Sequence, residues 1–184
     1  MNSIRTVVLW FAPIWLAFLS MPVAADIPSN VNQCVLDSVE STPSSDFTVL
    51  EGGAVVRHEP TGLEWQRCVE GMSWTGTSCS GSPRVFLSWQ GALQYADGVS
   101  GWRLPNISEL RTIVERCRRD PAINQQVFPE TPSLGFWSSS PFVGLAFQSW
   151  GVSFRRGHSI TPHRDRVGGP GDSASRVRLV RGGL

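Results

Sequence analysis

Residues 155–166 read RRGHSITPHRDR, which places Arg155, Arg156, Arg164 and Arg166 with His158 and His163 in one short segment. A guanidinium is a planar fork of N–H donors and matches two oxygens of a sulfate, carboxylate or phosphate at once. Histidines with an ordinary pKa of about 6.5 add positive charge below that pH. The chemistry this spacing suits is anion binding rather than bond making. The plainer alternative is a solvated basic loop, partly offset by Asp165 and Asp172. Trp74 joins the candidate set because it stands among small polar residues in SWTGTSCSG, where an indole is exposed and can stack on a sugar ring. Trp65, Trp89, Trp102, Trp137 and Trp150 fall in hydrophobic patterns and read mainly as core.

Catalysis needs a placed nucleophile, base or metal, and none is evident. There is no Gly-x-Ser-x-Gly elbow. Ser138, Ser139 and Ser140 follow Trp137 in an expected strand and suit local hydrogen bonding to the backbone. His158 and His163 have arginine neighbours, which repel cations, and no convergent carboxylates or thiolates. Cys34, Cys68, Cys79 and Cys117 contain no Cys-x-x-Cys pair and match no zinc-ribbon spacing. No catalytic residue, metal or cofactor is expected.

The cysteines instead report a compartment. Arg5, the apolar stretch from Thr6 to Met21 and the small residues Val23-Ala24-Ala25 form a cleavable leader over residues 1–25. No later segment is apolar enough to span a membrane, so the exported chain is periplasmic, secreted or at the cell surface. An even number of cysteines in such a chain reads as two disulfides, each contributing about 2–4 kcal/mol. Three pairings are possible. Cys68–Cys79 closes a short Gly/Ser/Thr loop most easily, which leaves Cys34–Cys117 to tie an N-terminal arm to the second helix.

Charge is nearly balanced, with 16 Lys plus Arg against 15 Asp plus Glu, and all the basic residues are arginine. The arginines concentrate after residue 100, where a surface for anionic partners or simple complementarity with the acidic first half are both consistent.

These side chains need a scaffold. Residues 26–45 form a polar arm, and residues 46–184 the domain. A hairpin is expected with Val55-Val56 on one strand, turn chemistry at His58–Gly62 and Leu63-Glu64-Trp65 on the return. Ser88 caps a helix whose face is Trp89, Ala92, Leu93 and Ala96, ended by Gly98. Asn106 and Glu109 make a capping box for a second helix with Ile107, Leu110, Ile113, Val114 and Cys117 on one face. Residues 118–135 read as a long ordered loop. Strands follow at Phe136–Ser140 and around Trp150, Val152 and Phe154, with Arg155-Arg156-Gly157 as the turn after them. Residues 161–174 read as a loop, and Val177 and Leu179 alternate with Arg176 and Arg178 in a final strand.

GLEWQRC, SWTGTSCSG, WQGALQYAD, GWRLPNISEL, PAINQQVFP, FWSSSPF, WGVSF and RVRLVRGG together resemble the Lcl C-terminal domain family, from about Phe47 to Gly183. The family takes its name from a bacterial collagen-like adhesin. The resemblance implies an exported α+β protein of the C-type lectin-like class. Two helices would pack on small twisted antiparallel sheets stapled by disulfides, in a fold related to formylglycine-generating enzymes. Those enzymes hold copper with a cysteine pair near the end of the domain. Here the last cysteine is Cys117, so that activity is not implied. In the founding adhesin this domain is associated with sulfated glycosaminoglycans. This chain has no Gly-x-y repeats, so trimeric presentation is not implied either.

The expected function is therefore a non-enzymatic binding module for an anionic, sulfated polysaccharide or a surface protein, without calcium. Nucleic acid is not an expected partner for an exported protein. The alternatives are an assembly protein of the bacterial envelope and an enzyme of unassigned type.

Overall fold

The expected hairpin forms from β2 (Val55–His58) and β3 (Leu63–Gln66), with Val56 opposite Trp65 and His58 opposite Leu63. The computed structural model describes Cys34, residues 38–165 and residues 174–183. The expected leader, most of the arm before Ser38, Arg166 and Asp172 lie outside the described residues. The hairpin turn closes through Gly62 N–H to the His58 carbonyl at 2.8 Å, and Gly62 adopts φ +67°, where a side chain is strained. His58 was expected in the turn but is the last residue of β2. It is buried against Phe47, with Nδ1 2.8 Å from Thr61 Oγ1. Burial holds its pKa below the usual value, although Asp46 and Glu59 pull the other way.

β1 (Phe47–Leu50) flanks β2 and β9 (Val180–Gly182) flanks β3, so the first sheet runs β1-β2-β3-β9, all antiparallel. β1 and β9 thus form the two edges of the sheet, with the hairpin between them. β4 (Met72–Trp74) and β5 (Cys79–Gly81) form a small second sheet, joined to the end of β3 by the Cys68–Cys79 disulfide. The third sheet is β6 (Gly135–Pro141), β7 (Ser149–Ser153) and β8 (His158–Ile160).

α1 (Trp89–Asp97) begins at Ser88, whose hydroxyl accepts the Gly91 N–H at 3.1 Å. Ala92 and Ala96 are buried against Leu104, Trp137, Val177 and Leu179. α2 spans only Ile107–Arg111 and carries the expected capping box between Asn106 and Glu109. The stripe expected to continue through Ile113, Val114 and Cys117 is buried, but on irregular chain. After the helix Thr112 and Val114 still bond three residues back, to the Glu109 and Arg111 carbonyls, and at Glu115 the N–H turns to the Ala122 carbonyl instead. Arg103 makes a two-pronged pair with Glu109, both N···O distances being 2.7 Å. The larger core gathers Val56, Trp65, Leu110, Phe128, Phe136 and Val152 between the sheets.

Two polar clamps fasten the irregular stretch. Glu115 is fully buried and accepts N–H groups from Ser41, Thr42 and Cys117 and the hydroxyls of Ser41 and Thr42, at 2.8–3.1 Å. Together with the Cys34–Cys117 disulfide, this pins the described part of the arm. The second clamp is Arg178, expected to alternate outward in the last strand but wholly buried. Its guanidinium donates to the carbonyls of Gln66 (2.8 Å) and Arg67 and to Thr131 Oγ1 (2.6 Å), and lies 4.8 Å from the Phe128 ring centre. Burial pushes its pKa down to about 9, which still leaves it charged at neutral pH. The segment before β9 is extended but not a regular strand.

Burial alone would raise the Glu115 pKa, but its N–H donors outweigh that and hold it below the usual carboxylate value. A depressed carboxyl stabilises the fold above its unfolded pKa of about 4.3 and loses that contribution as pH falls through the folded value. Glu115→Gln should therefore cost about 2 kcal/mol at pH 7 by urea unfolding. The gap to the parent protein should close toward ~pH 2; a gap independent of pH would contradict this account. Arg178→Met leaves the Gln66 and Arg67 carbonyls without their donor and should cost about 2–4 kcal/mol in the same assay.

Candidate functional site

Phe154 to Gly157 form the tight turn between β7 and β8, closed by Gly157 N–H to the Ser153 carbonyl at 2.8 Å. Gly157 has φ +73°, and a Cβ there would sit 2.6 Å from Val114 Cγ1. The turn is thus pressed onto the irregular stretch after α2. Asp120 N–H donates to the Arg155 carbonyl at 2.8 Å, and Ala122 N–H to the Phe154 carbonyl. Residues 116–121 bulge outward as a loop closed by Glu115 N–H to the Ala122 carbonyl at 3.1 Å.

This docking sets two runs of arginine side by side. Arg155 and Arg156 are exposed on the turn, and Arg116 and Arg119 are exposed on the loop. Arg118, between them, is buried and paired with Glu40. Arg155 lies 3.4 Å from Asp120, whereas Arg116, Arg119 and Arg156 have no ion pair among the described residues. Surplus positive charge therefore stands in solvent, where it can attract an anion without first losing a protein partner.

The other sequence candidates lie elsewhere. His158 is exposed at the start of β8, next to the basic turn. From there the chain runs extended beside β7, with Ser153 opposite His158, Gly151 opposite Ile160 and Gln148 opposite His163. Five extended residues place His163 about 16 Å from His158. At that far end Arg164 is committed: its guanidinium covers the Trp89 ring at 4.2 Å, and Nε donates to the Gln148 carbonyl at 2.8 Å. His163 stacks on Phe147, with ring centres 5.1 Å apart. The structure thus divides the segment into an exposed group (Arg155, Arg156, His158) and a packed one (His163, Arg164). Trp74 is half-buried rather than open, donating Nε1–H to the Gly52 carbonyl at 3.0 Å beneath the Arg67 guanidinium.

Arg116 and Arg119 escaped the sequence reading. Their signal was the Arg-rich run from 116 to 119 and the skew of arginine toward the second half. Nothing local indicated that this run docks against a turn more than thirty residues later. Cys34, Glu115 and Cys117 also come together, but the sulfurs are bonded to each other and the carboxylate is filled by N–H donors. No helix among the described residues is long and apolar enough to cross a membrane.

Arg164→Ala should shift Trp89 emission to the red and cost about 1 kcal/mol of stability, since the ring loses its cover. Unchanged fluorescence and stability would show that the contact contributes nothing.

The sequence model described as the Lcl C-terminal domain matches residues 54–181. No curated protein and no solved structure matches the chain.

Proposed function

Starting from the fact that the chain belongs to the Lcl C-terminal domain family, we propose that it is an exported, non-enzymatic module that binds anionic, sulfated glycans. The observation that carries this reading is the pairing of the 154–157 turn with the 116–121 loop. It brings the turn that carries exposed Arg155 and Arg156 against the loop that carries exposed Arg116 and Arg119, with Asp120 3.4 Å from Arg155. Guanidinium groups on rigid backbone engage sulfate oxygens two at a time, and several such contacts along a polymer add by avidity. His158 lies within two residues of Arg156, at the edge of this turn. In this reading the two helices and small antiparallel sheets form a C-type lectin-like fold, and recognition needs neither calcium nor another cofactor. The protein acts in the periplasm, at the cell surface or after secretion.

A second reading, a protein-binding role in assembly of the bacterial envelope, is favoured by the β6–β7 loop. Val143 is 96% exposed there, and Leu145 and Phe147 are also open to solvent. Contiguous exposed apolar side chains mark interaction surfaces.

A heparin column separates the two. The oxidised protein should be retained well above ~0.15 M salt, where weak surface attraction is screened. Replacing Arg116, Arg119, Arg155 and Arg156 together by Ala should abolish retention while the circular dichroism spectrum stays unchanged. Retention that survives the fourfold change, or that is equal on a neutral matrix, would overturn the glycan reading. A stoichiometric protein partner lost on Phe147→Asp would support the second.

A further inference from the structure

A groove of about 670 Å³ opens on the β7–β8 side of the third sheet. Phe142 and Trp150 line one part of it, their rings in edge-to-face contact at 5.0 Å. Polar Ser153, His158, Ser159 and Thr161 line the rest together with Gly135, Ile160 and Pro162. The volume is in the range of small-molecule sites, ~300–1,000 Å³.

Its lining is chemically unusual for this molecule. The side chains of Ser153, His158, Ser159 and Thr161 and the indole N–H of Trp150 make no hydrogen bond among the described residues. None of these is a buried orphan, so each donor and acceptor is reachable from solvent. Elsewhere some of the same groups are used internally, whereas Trp65 Nε1 and the Ser149 and Ser175 hydroxyls are buried without a partner. Ser138 Oγ donates to the Trp150 carbonyl, Trp89 Nε1 to the Ser138 carbonyl and Trp137 Nε1 to the Phe86 carbonyl. The groove is also free of fixed charge. No Asp, Glu, Lys or Arg occurs from Thr131 to Phe154, and His158 is the one titratable group lining it.

We propose that this groove is a binding site for an uncharged pyranose, separate from the basic face. An aromatic wall takes the apolar face of a sugar ring, and a row of hydroxyls with an imidazole exchanges hydrogen bonds with ring hydroxyls. A charged ligand would find no counter-charge here. An apolar one would strand the polar groups. An extended peptide would need the free edge of β8, which is only three residues long. The groove reaches His158, and the basic turn begins two residues earlier. A polysaccharide could therefore rest a neutral ring in the groove and an anionic one on the arginines, but the groove site does not require that second contact.

The test is titration of the oxidised protein with neutral tetrasaccharides of glucose, of mannose and of N-acetylglucosamine, followed by tryptophan emission and saturation-transfer NMR. At least one should bind with Kd of ~1 mM or tighter, unaffected by ~1 M salt. Trp150→Ala should weaken it ~tenfold or more. Because loss of Trp150 also removes support from Phe142, Thr161→Val and Ser159→Ala serve as the second pair. They keep the wall and should weaken binding several-fold with the fold intact. Binding of none of the three sugars overturns the proposal, as does binding indifferent to all these variants or captured only by an extended peptide. Heparin retention lost with the arginine variant while neutral-sugar binding persists supports the groove as its own site. Neutral binding abolished by the arginine variant overturns its independence.

Discussion

A cation buried without an ion pair among the described residues, with Glu70 only a more distant counter-charge, holds this fold together. Arg178 reaches the carbonyls of Gln66 and Arg67 at the end of β3, Thr131 in the long irregular stretch and the face of Phe128. Those acceptors lie where β3 ends at Gln66, in the bend at Arg67 and on irregular chain at Thr131. A guanidinium can satisfy several at once because its donors fan out in a plane. The desolvation cost of the charge is offset by carbonyl dipoles and a π face instead of an ion pair. The result is that the C-terminal segment, the first hairpin and the 128–131 loop share one anchor, and β9 can close on β3.

The same device recurs along residues 112–134, where regular structure is absent. Arg67 donates to the carbonyls of Gln126 (2.9 Å) and Val127 (2.7 Å). Asn124 donates to the Thr42 carbonyl at 3.1 Å, and Glu115 gathers the N–H groups of the arm. Each clamp converts a backbone group that would be unsatisfied into a fixed point. The basic loop at 116–121 is therefore placed by buried polar contacts on either side of it. It is held in place without a helix or strand of its own.

What could be read from the chain was what is local. The β2–β3 hairpin, the Ser88 cap, the Asn106–Glu109 box and the short-loop preference for Cys68–Cys79 follow from neighbours a few residues apart, whereas Cys34–Cys117, 83 residues apart, is only the remainder of three possible pairings. Arg178 could not be read that way, because alternation with Val177 and Leu179 marks it as outward and its acceptors lie 47 to 112 residues away. Glu115 and Arg118 hide for the same reason, each being buried by the arm at Glu40 to Thr42. The apolar stripe of α2 predicted burial of Ile113 and Val114 but not the end of the helix, since side chains that a helix would bury are equally buried by a chain pinned at Glu115.

The basic segment shows how proximity in sequence can mislead about proximity in space. Arg156 and Arg164 are eight residues apart, and in a compact loop they could meet. Here β8 lies between them, and an extended strand advances about 3.3 Å per residue. The two ends consequently differ in what an anion would displace. Arg164 would have to leave the Trp89 face and the Gln148 carbonyl, so part of any attraction would be spent restoring what was lost. Arg156 starts solvated and unpaired among the described residues, on the turn that docks against the loop carrying exposed Arg116 and Arg119. An anion arriving there gains its full interaction. Differential cost, rather than the number of arginines in the stretch, favours the turn end of β8 over the far end.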